Sequence, residues 1–448
     1  MLRRVYNLLD ILRDVEILAS LKVSLPLVFI QLVGTLYSLT DTYFVKDLGE
    51  EALAALGIAG YLLNLILVFM ALFSTPLVIM ASQSIGAGDF GKARRIGGEI
   101  ILKGSLFTLF ISLIAFLLSG PLVMMQSGVT GLTYEYTLVY FKIRVSGLIV
   151  MFITSSLDIL IIATGRTMFS LMANATGLLA NIVLDPLMIY GLFGFPRLGV
   201  AGAAYATITA SLLVMPLQLR FLRNMGLIPL FRNEVGLKRI LEIGWPAFIE
   251  RAFFALGNNI YAGVISRLGS TAMAAHNIGL RIESIIYMPG FAFMMTASTL
   301  VGQRVGRGDI NGGKSIGFKT IMLGTSIMTV IGIVVGFTGY YITMPFAPNE
   351  EIRRLASIYL AFAGFSELGL GLSMITSGAI RGAGDTKIPL VINTSSLIVF
   401  RVIPSILLAN HLGVIGPWLS MFIDVYARGI ILITVFQKYF NKLARKVV

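Results

Sequence analysis

The sequence contains no cysteine and only two histidines, His276 and His411. A disulfide framework, a thiolate zinc site and a cysteine nucleophile are therefore excluded, and a histidine-rich metal centre lacks ligands. Charge is scarce as well. Asp, Glu, Lys and Arg make up 13% of the 448 residues, about half the share of a water-soluble domain. The hydrophobic set, at 56%, supplies about as many positions as twelve membrane spans of about 21 residues would use. An integral membrane protein follows, with no room for a large soluble domain. The net charge of +13 would suggest nucleic acid in a soluble protein; here it reads as membrane topology, and no nucleic-acid partner is expected.

Apolar runs between polar breaks place spans near 23–45, 53–84, 97–119, 137–162, 168–192, 199–221, 241–265, 273–303, 317–342, 356–379, 388–409 and 414–437. Counting loop Lys and Arg alternately gives 22 on one side and five on the other. Because cytoplasmic loops retain cations, both termini are expected in the cytoplasm, in a multi-pass protein of the plasma membrane. Residues 1–22 interleave leucines and valines with charges and lack a signal-peptide core, which reads as a cytoplasmic amphipathic leader.

The chain repeats itself at an offset of 220 residues. Pro26 answers Pro246, Leu48-Gly49 answers Leu268-Gly269, and Gln83, Gly86, Gly88 and Asp89 answer Gln303, Gly306, Gly308 and Asp309. Six spans per copy is an even number, so the copies run parallel, as in two-lobed secondary transporters. The expected fold is all-α: twelve transmembrane helices in two parallel six-helix lobes around a central cavity. The expected divisions are an N-terminal lobe over 23–221, a cytoplasmic linker over 222–240, a C-terminal lobe over 241–438 and a tail over 439–448.

One motif invites misreading. Gly308 to Ser315 fits the phosphate-loop pattern G-x-x-x-x-G-K-S, but that loop needs a strand before it, and here a long apolar helix precedes it. Its repeat partner, Gly86 to Ala93, lacks the hydroxyl. Both segments are expected to be turns in which Asp89 and Asp309 cap helices.

Acids inside a bilayer are costly and mark function by default. Those inside the expected spans are Asp41, Asp158, Asp185, Glu250, Glu283, Glu367 and Asp424. Glu250 adjoins Arg251, Glu283 lies two from Arg281 and Asp424 four from Arg428, so pairing is expected for each. Asp185 has no Lys or Arg within four residues, and it and Asp41 both fall in the outer half of their spans. Their repeat partners are not acids: Tyr261 answers Asp41, and Ile403 or Pro404 answers Asp185. The acid pair thus arose in one lobe only, which points to function. Asn181 and Tyr37 each stand one helical turn before an acid, on its face, and Pro186 removes a backbone donor beside Asp185. Two carboxylates, an amide and a hydroxyl are suited to a proton or a small cation such as sodium.

Together these motifs resemble the multidrug and toxic compound extrusion (MATE) transporters, in particular the DinF-like prokaryotic branch, over essentially the whole chain. The matching segments are Pro26 with Tyr37 to Thr42, Ala274 to Ile278 with Glu283 and Met288-Pro289-Gly290, Gln303 to Asp309, Gly378 to Lys387, and Asn181 with Asp185-Pro186. The resemblance implies an antiporter, not an enzyme, that exports amphipathic and often cationic compounds by alternating access, driven by entry of H+ and/or Na+ and using no cofactor. It implies a cation site of Asp41, Asn181, Asp185 and Thr207, with Tyr37 and Tyr140 nearby and Pro26 as a bending proline. Glu250 and Glu283 are candidates for a C-lobe polar site. The expected partners are small-molecule substrates and membrane lipids, and the expected state is a monomer. A lipid-linked oligosaccharide flippase is the alternative; it needs a cationic cavity, for which Arg251, Arg281 and Arg401 are the candidates.

Overall fold

The computed structural model describes residues 14–448, which are helical with no strand. Residues 1–13 of the expected leader lie outside the described residues. The N-terminal half comprises α1 (Val15–Val45), α2 (Glu50–Leu67), α3 (Ala71–Gly86), α4 (Phe90–Leu117), α5 (Ser119–Ser127), α6 (Gly131–Ser146), α7 (Leu148–Ala163), α8 (Thr167–Tyr190) and α9 (Val200–Asn224). The second half comprises α10 (Gly236–Ser266), α11 (Ser270–Ile286), α12 (Met288–Arg307), α13 (Ile310–Ile342), α14 (Glu350–Gly382), α15 (Lys387–Ser396), α16 (Ile403–Leu412) and α17 (Ile415–Leu443). A π-helical turn, Leu397–Val402, joins α15 to α16.

Among the described residues, ten helical runs are long and apolar enough to cross a bilayer by themselves, and α6 with α7, bent by 47°, makes an eleventh. The twelfth is α10. Its 31 residues would span about 46 Å, but Lys238, Arg239, Glu242, Glu250 and Arg251 crowd its first half and lower its hydropathy. Two spans break at repeat-equivalent places, after Leu67 and at Tyr287, 220 residues apart. The separate leader is corrected in part: α1 starts at Val15, so residues 15–22 continue into the first span.

The ends of the helices follow from local chemistry. The Asp89 carboxylate accepts the Lys92 N–H at 2.8 Å and that of Asp309 accepts the Gly312 N–H at 2.8 Å, so each caps the helix that follows it. The Gly312 N–H and the Arg304 guanidinium hold Asp309 below the ordinary carboxylate range. The phosphate-loop lookalike is thus a helix–turn–helix, with α12 before it and α13 after it.

The described chain forms two compact units, each with its own core. One contains the residues up to Val28 together with Ile249–Val448; the other is Phe29–Phe248. In the first, a Cβ on Gly364 would stand 2.3 Å from the Gly332 carbonyl, so α13 and α14 approach backbone to backbone through small residues. Trp418, Tyr359 and Ile265 lie in its buried core. The second unit buries Phe141, Leu148, Ile189 and Val200.

These boundaries change the expected division of the chain. Passage from one unit to the other occurs inside α1, after Val28, and inside α10, after Phe248. Both points follow a repeat-related proline, Pro26 or Pro246, by two residues. The linker, by contrast, is fastened to the second unit. Buried Glu99 on α4 accepts the backbone N–H groups of Glu234, Val235 and Gly236 at 2.7, 2.8 and 2.8 Å, and pairs with Lys103. Arg95 binds Glu234 at 2.6 Å, and the Leu230 N–H donates to the Arg94 carbonyl. Gly98 lies under Leu230 so closely that a Cβ would meet its carbonyl oxygen at 2.1 Å. Gly98→Ala must therefore lift the linker at a cost of about 1–3 kcal/mol. The expected readout is faster proteolysis between residues 226 and 236, and an unchanged cleavage rate would contradict this docking.

Candidate functional site

Four helices of the unit Phe29–Phe248 bring the expected cation-site residues together. Asp41 lies near the outer end of α1, Asp185 on α8 with Pro186 after it, Thr207 on α9 and Tyr140 on α6. Asp185 and Asn181 are fully buried, and Asp41, Thr207 and Tyr140 nearly so. The one-turn spacing has the expected result: the Asn181 amide donates to Asp185 Oδ1 at 3.1 Å. Thr207 Oγ1 donates to Asp41 Oδ2 at 3.5 Å and to the Ala203 carbonyl at 3.0 Å. Tyr37, one turn before Asp41, has a buried hydroxyl with no partner.

The two carboxyls stand within hydrogen-bonding reach of each other. Two ionised carboxylates can only accept, so this contact in a buried place is repulsive unless a proton is shared or a cation intervenes. The remaining valences agree. Asp41 Oδ1, Asp185 Oδ2 and Asn181 Oδ1 are buried without a hydrogen-bond partner. An oxygen-only donor set suits a proton or a hard cation rather than a transition metal. No cluster of three or more His, Cys, Asp or Glu occurs among the described residues.

The cation that shares this pocket is not among the intramembrane arginines named from the sequence, Arg251, Arg281 and Arg401. Arg144, in the last turn of α6, donates to the Tyr140 hydroxyl at 3.4 Å and to Met151 Sδ at 3.8 Å. Its charge acts on Asp41, Asp185, Tyr37 and Tyr140, yet no ion pair joins it to either acid. An intramembrane arginine with no acid within four residues of it was the available signal. Pro26 lies inside α1 in the other unit, at a distance from the acids along that helix.

Elsewhere the intramembrane acids other than Glu367 are engaged. Asp158 accepts from Ser170 at 2.6 Å and Asn174 at 3.2 Å. The expected neighbour pairs are corrected in two of three cases. Glu250 binds Arg381 at 2.7 Å, not Arg251, and also accepts from Asn393 at 2.7 Å. Glu283 accepts from the Tyr359 hydroxyl, not from Arg281. Both bonds come from helices distant in sequence, which local spacing cannot register. Glu250 and Glu283 thus have different partners. Asp424 does pair with Arg428, at 3.1 Å, and with Arg401 at 2.9 Å. Glu367, fully buried, has no partner for either oxygen.

Known proteins resemble this chain over most of its length. The family model described as MatE matches twice, over residues 26–187 and 246–407, and the two matches are offset by the internal repeat. A probable multidrug resistance protein NorM of Thermotoga maritima is 26% identical over 417 residues, covering 91% of this chain and 89% of its own length. The multidrug resistance protein NorM of Burkholderia vietnamiensis is 28% identical over 395 residues, covering 83% of each. Among solved structures, the Vibrio cholerae MATE transporter VcmN in its bent form superposes with a TM-score of 0.88 at 20% identity, over 96% of this chain and 98% of its own. A transporter of the MOP superfamily from Pyrococcus furiosus gives 0.86 at 19% identity, over 97% and 98%. These likenesses establish the fold of twelve transmembrane helices in two lobes.

Proposed function

The chain belongs to the MatE family of membrane transporters, and on that premise we propose that it is a cation-coupled antiporter exporting amphipathic, often cationic, organic compounds by alternating access. It is a transporter rather than an enzyme. The observation that carries the coupling is the buried contact between Asp41 and Asp185, whose free oxygens require a proton or sodium ion. Asn181, Thr207 and Tyr37 complete the donor set. A cation entering from outside neutralises the pair and weakens its hold on a cationic cargo. Because coupling needs differential affinity for two states, cation and cargo favour opposite ones. Pro26 and Pro246, just before the places where the chain changes units, are the natural points of bending; the docked linker is not. The N-lobe acid pair supports a DinF-like placement, and the loop Lys and Arg, 22 on one side against five on the other, support both termini in the cytoplasm.

The flippase reading is the weaker one. Arg401 is bound to Asp424 and is not free to hold a pyrophosphate, and the multidrug relatives above favour drug-like cargo. The proposal is tested by reconstituting the protein and imposing pH and sodium gradients separately while a cationic dye is followed. At least one gradient is expected to move dye against its own gradient, with no need for ATP. Dye movement that neither gradient can drive uphill would overturn the reading.

A further inference from the structure

The Asp41–Asp185 pocket holds unsatisfied groups of opposite kinds: the acceptor oxygens Asp41 Oδ1, Asp185 Oδ2 and Asn181 Oδ1, the Tyr37 hydroxyl, and the Nε–H of Arg144, which is buried without a partner. The guanidinium rests on weak supports. Its bond to the Tyr140 hydroxyl is 3.4 Å long, its contact with Met151 is to a thioether sulfur, and it stands 5.7 Å from the Tyr140 ring centroid. None of these satisfies an intramembrane charge as a carboxylate would. Arg144 also lies just before Gly147, at the bend between α6 and α7, on a long side chain that can change partners over several ångströms.

We propose that Arg144 is a built-in counter-cation of the acid pair: when the coupling cation leaves, the guanidinium moves off Tyr140 and Met151 onto Asp41 and Asp185, and the next cation to enter displaces it. This rests on the antiport reading above and adds a residue to it. The emptied site then never presents two bare, contacting carboxylates to a low-dielectric interior. The arginine also sets how tightly the pair binds its cation, because a positive charge nearby opposes the arrival of another.

The charged and titratable groups around Arg144 are few. Asp41 and Tyr37 reach it from α1, Asp185 from α8 and Tyr140 from its own helix. Of the helices packed against α6, α2 carries Glu50 and Glu51 in its first turn and Tyr61, and α9 carries Tyr205 and, toward its end, Arg220 and Arg223; Asp158 on α7 is taken by Ser170 and Asn174, and Lys103 on α4 by Glu99 and Asn233. Lys142, on α6 itself, sits over the Phe116 ring.

The experiment measures the pH dependence of gradient-driven dye efflux in vesicles for the wild type, Arg144→Gln, Arg144→Lys, Tyr140→Phe and Asp185→Asn. Arg144→Gln is expected to move the midpoint upward by about one pH unit or more, because removing the positive charge tightens cation binding. Arg144→Lys restores the charge and is expected to lie near the wild type. Tyr140→Phe removes the resting place of the guanidinium and is expected to shift the midpoint the other way. An unmoved midpoint in Arg144→Gln, or an equal shift in Arg144→Lys, overturns the inference. Should Arg144→Gln fail to fold, Tyr140→Phe decides: a downward shift supports the counter-cation and an unmoved midpoint overturns it. Asp185→Asn separates the two layers. If it abolishes gradient-driven efflux while the Arg144 variants match the wild type, only the counter-cation fails; if it leaves efflux intact, the antiport reading fails.

Discussion

Asp185→Asn is expected to lower gradient-driven dye efflux about 100-fold, the upper part of the range that a coupling free energy between two sites commands. The substitution keeps the shape of the side chain and removes its ability to change charge. Asn181 can still donate to the new amide oxygen at the place of Oδ1, 3.1 Å away in the native pocket. The repulsion between two touching carboxyls disappears, so thermal stability should hold or rise. Asp41→Asn is expected to behave alike. Because the two acids act as one site, the double variant should lose no more than either single one. The assay is efflux from vesicles at matched protein content, alongside a melting curve in detergent. A folded Asp185→Asn protein with wild-type efflux would contradict the assignment.

Asp424→Ala is expected to do the opposite, damaging the fold first. Asp424 is fully buried and balances Arg401 at 2.9 Å and Arg428 at 3.1 Å, while Ser396 donates to it at 2.7 Å. Truncating it leaves two arginines without a counter-charge, at a cost of about 3–5 kcal/mol. For a unit of this size the melting temperature should fall by about 10 °C. Arg428→Met, which leaves one acid facing one arginine, should cost much less. Equal melting curves for Asp424→Ala and the wild type would show that this triad does not bind the unit together. The contrast with Asp185 separates an acid kept for exchange from one kept for folding.

Much of this was legible in the sequence. Low charge, run length and the cation bias specified a two-lobed helical membrane protein, and the 220-residue repeat appears again as the two matches to one family model. The one-turn spacing of Asn181 and Asp185, and the missing charges around Asp185, pointed to half of the candidate site because helical periodicity is local. Thr207 and Tyr140 came from resemblance, since no local rule brings α9 and α6 to α1. What escaped was long-range. Glu250 selects Arg381 across 131 positions and Glu283 selects Tyr359 across 76, while Arg251 and Arg281 were nearer in sequence. Arg144 went unnoticed because it has no acid at helical spacing, only Tyr140. The docking of the linker onto α4 was also hidden, since its central bonds join the Glu99 carboxylate to backbone N–H groups, which every residue but proline carries.

The most direct test of the central claim is cation release on cargo binding, followed in lightly buffered detergent solution with a pH indicator and a sodium electrode. The account predicts that a cationic dye bound by the wild type expels about one cation per molecule, and that the Asp41→Asn, Asp185→Asn protein binds dye and expels none. Dye binding without release by the wild type, or undiminished release by the double variant, would contradict it.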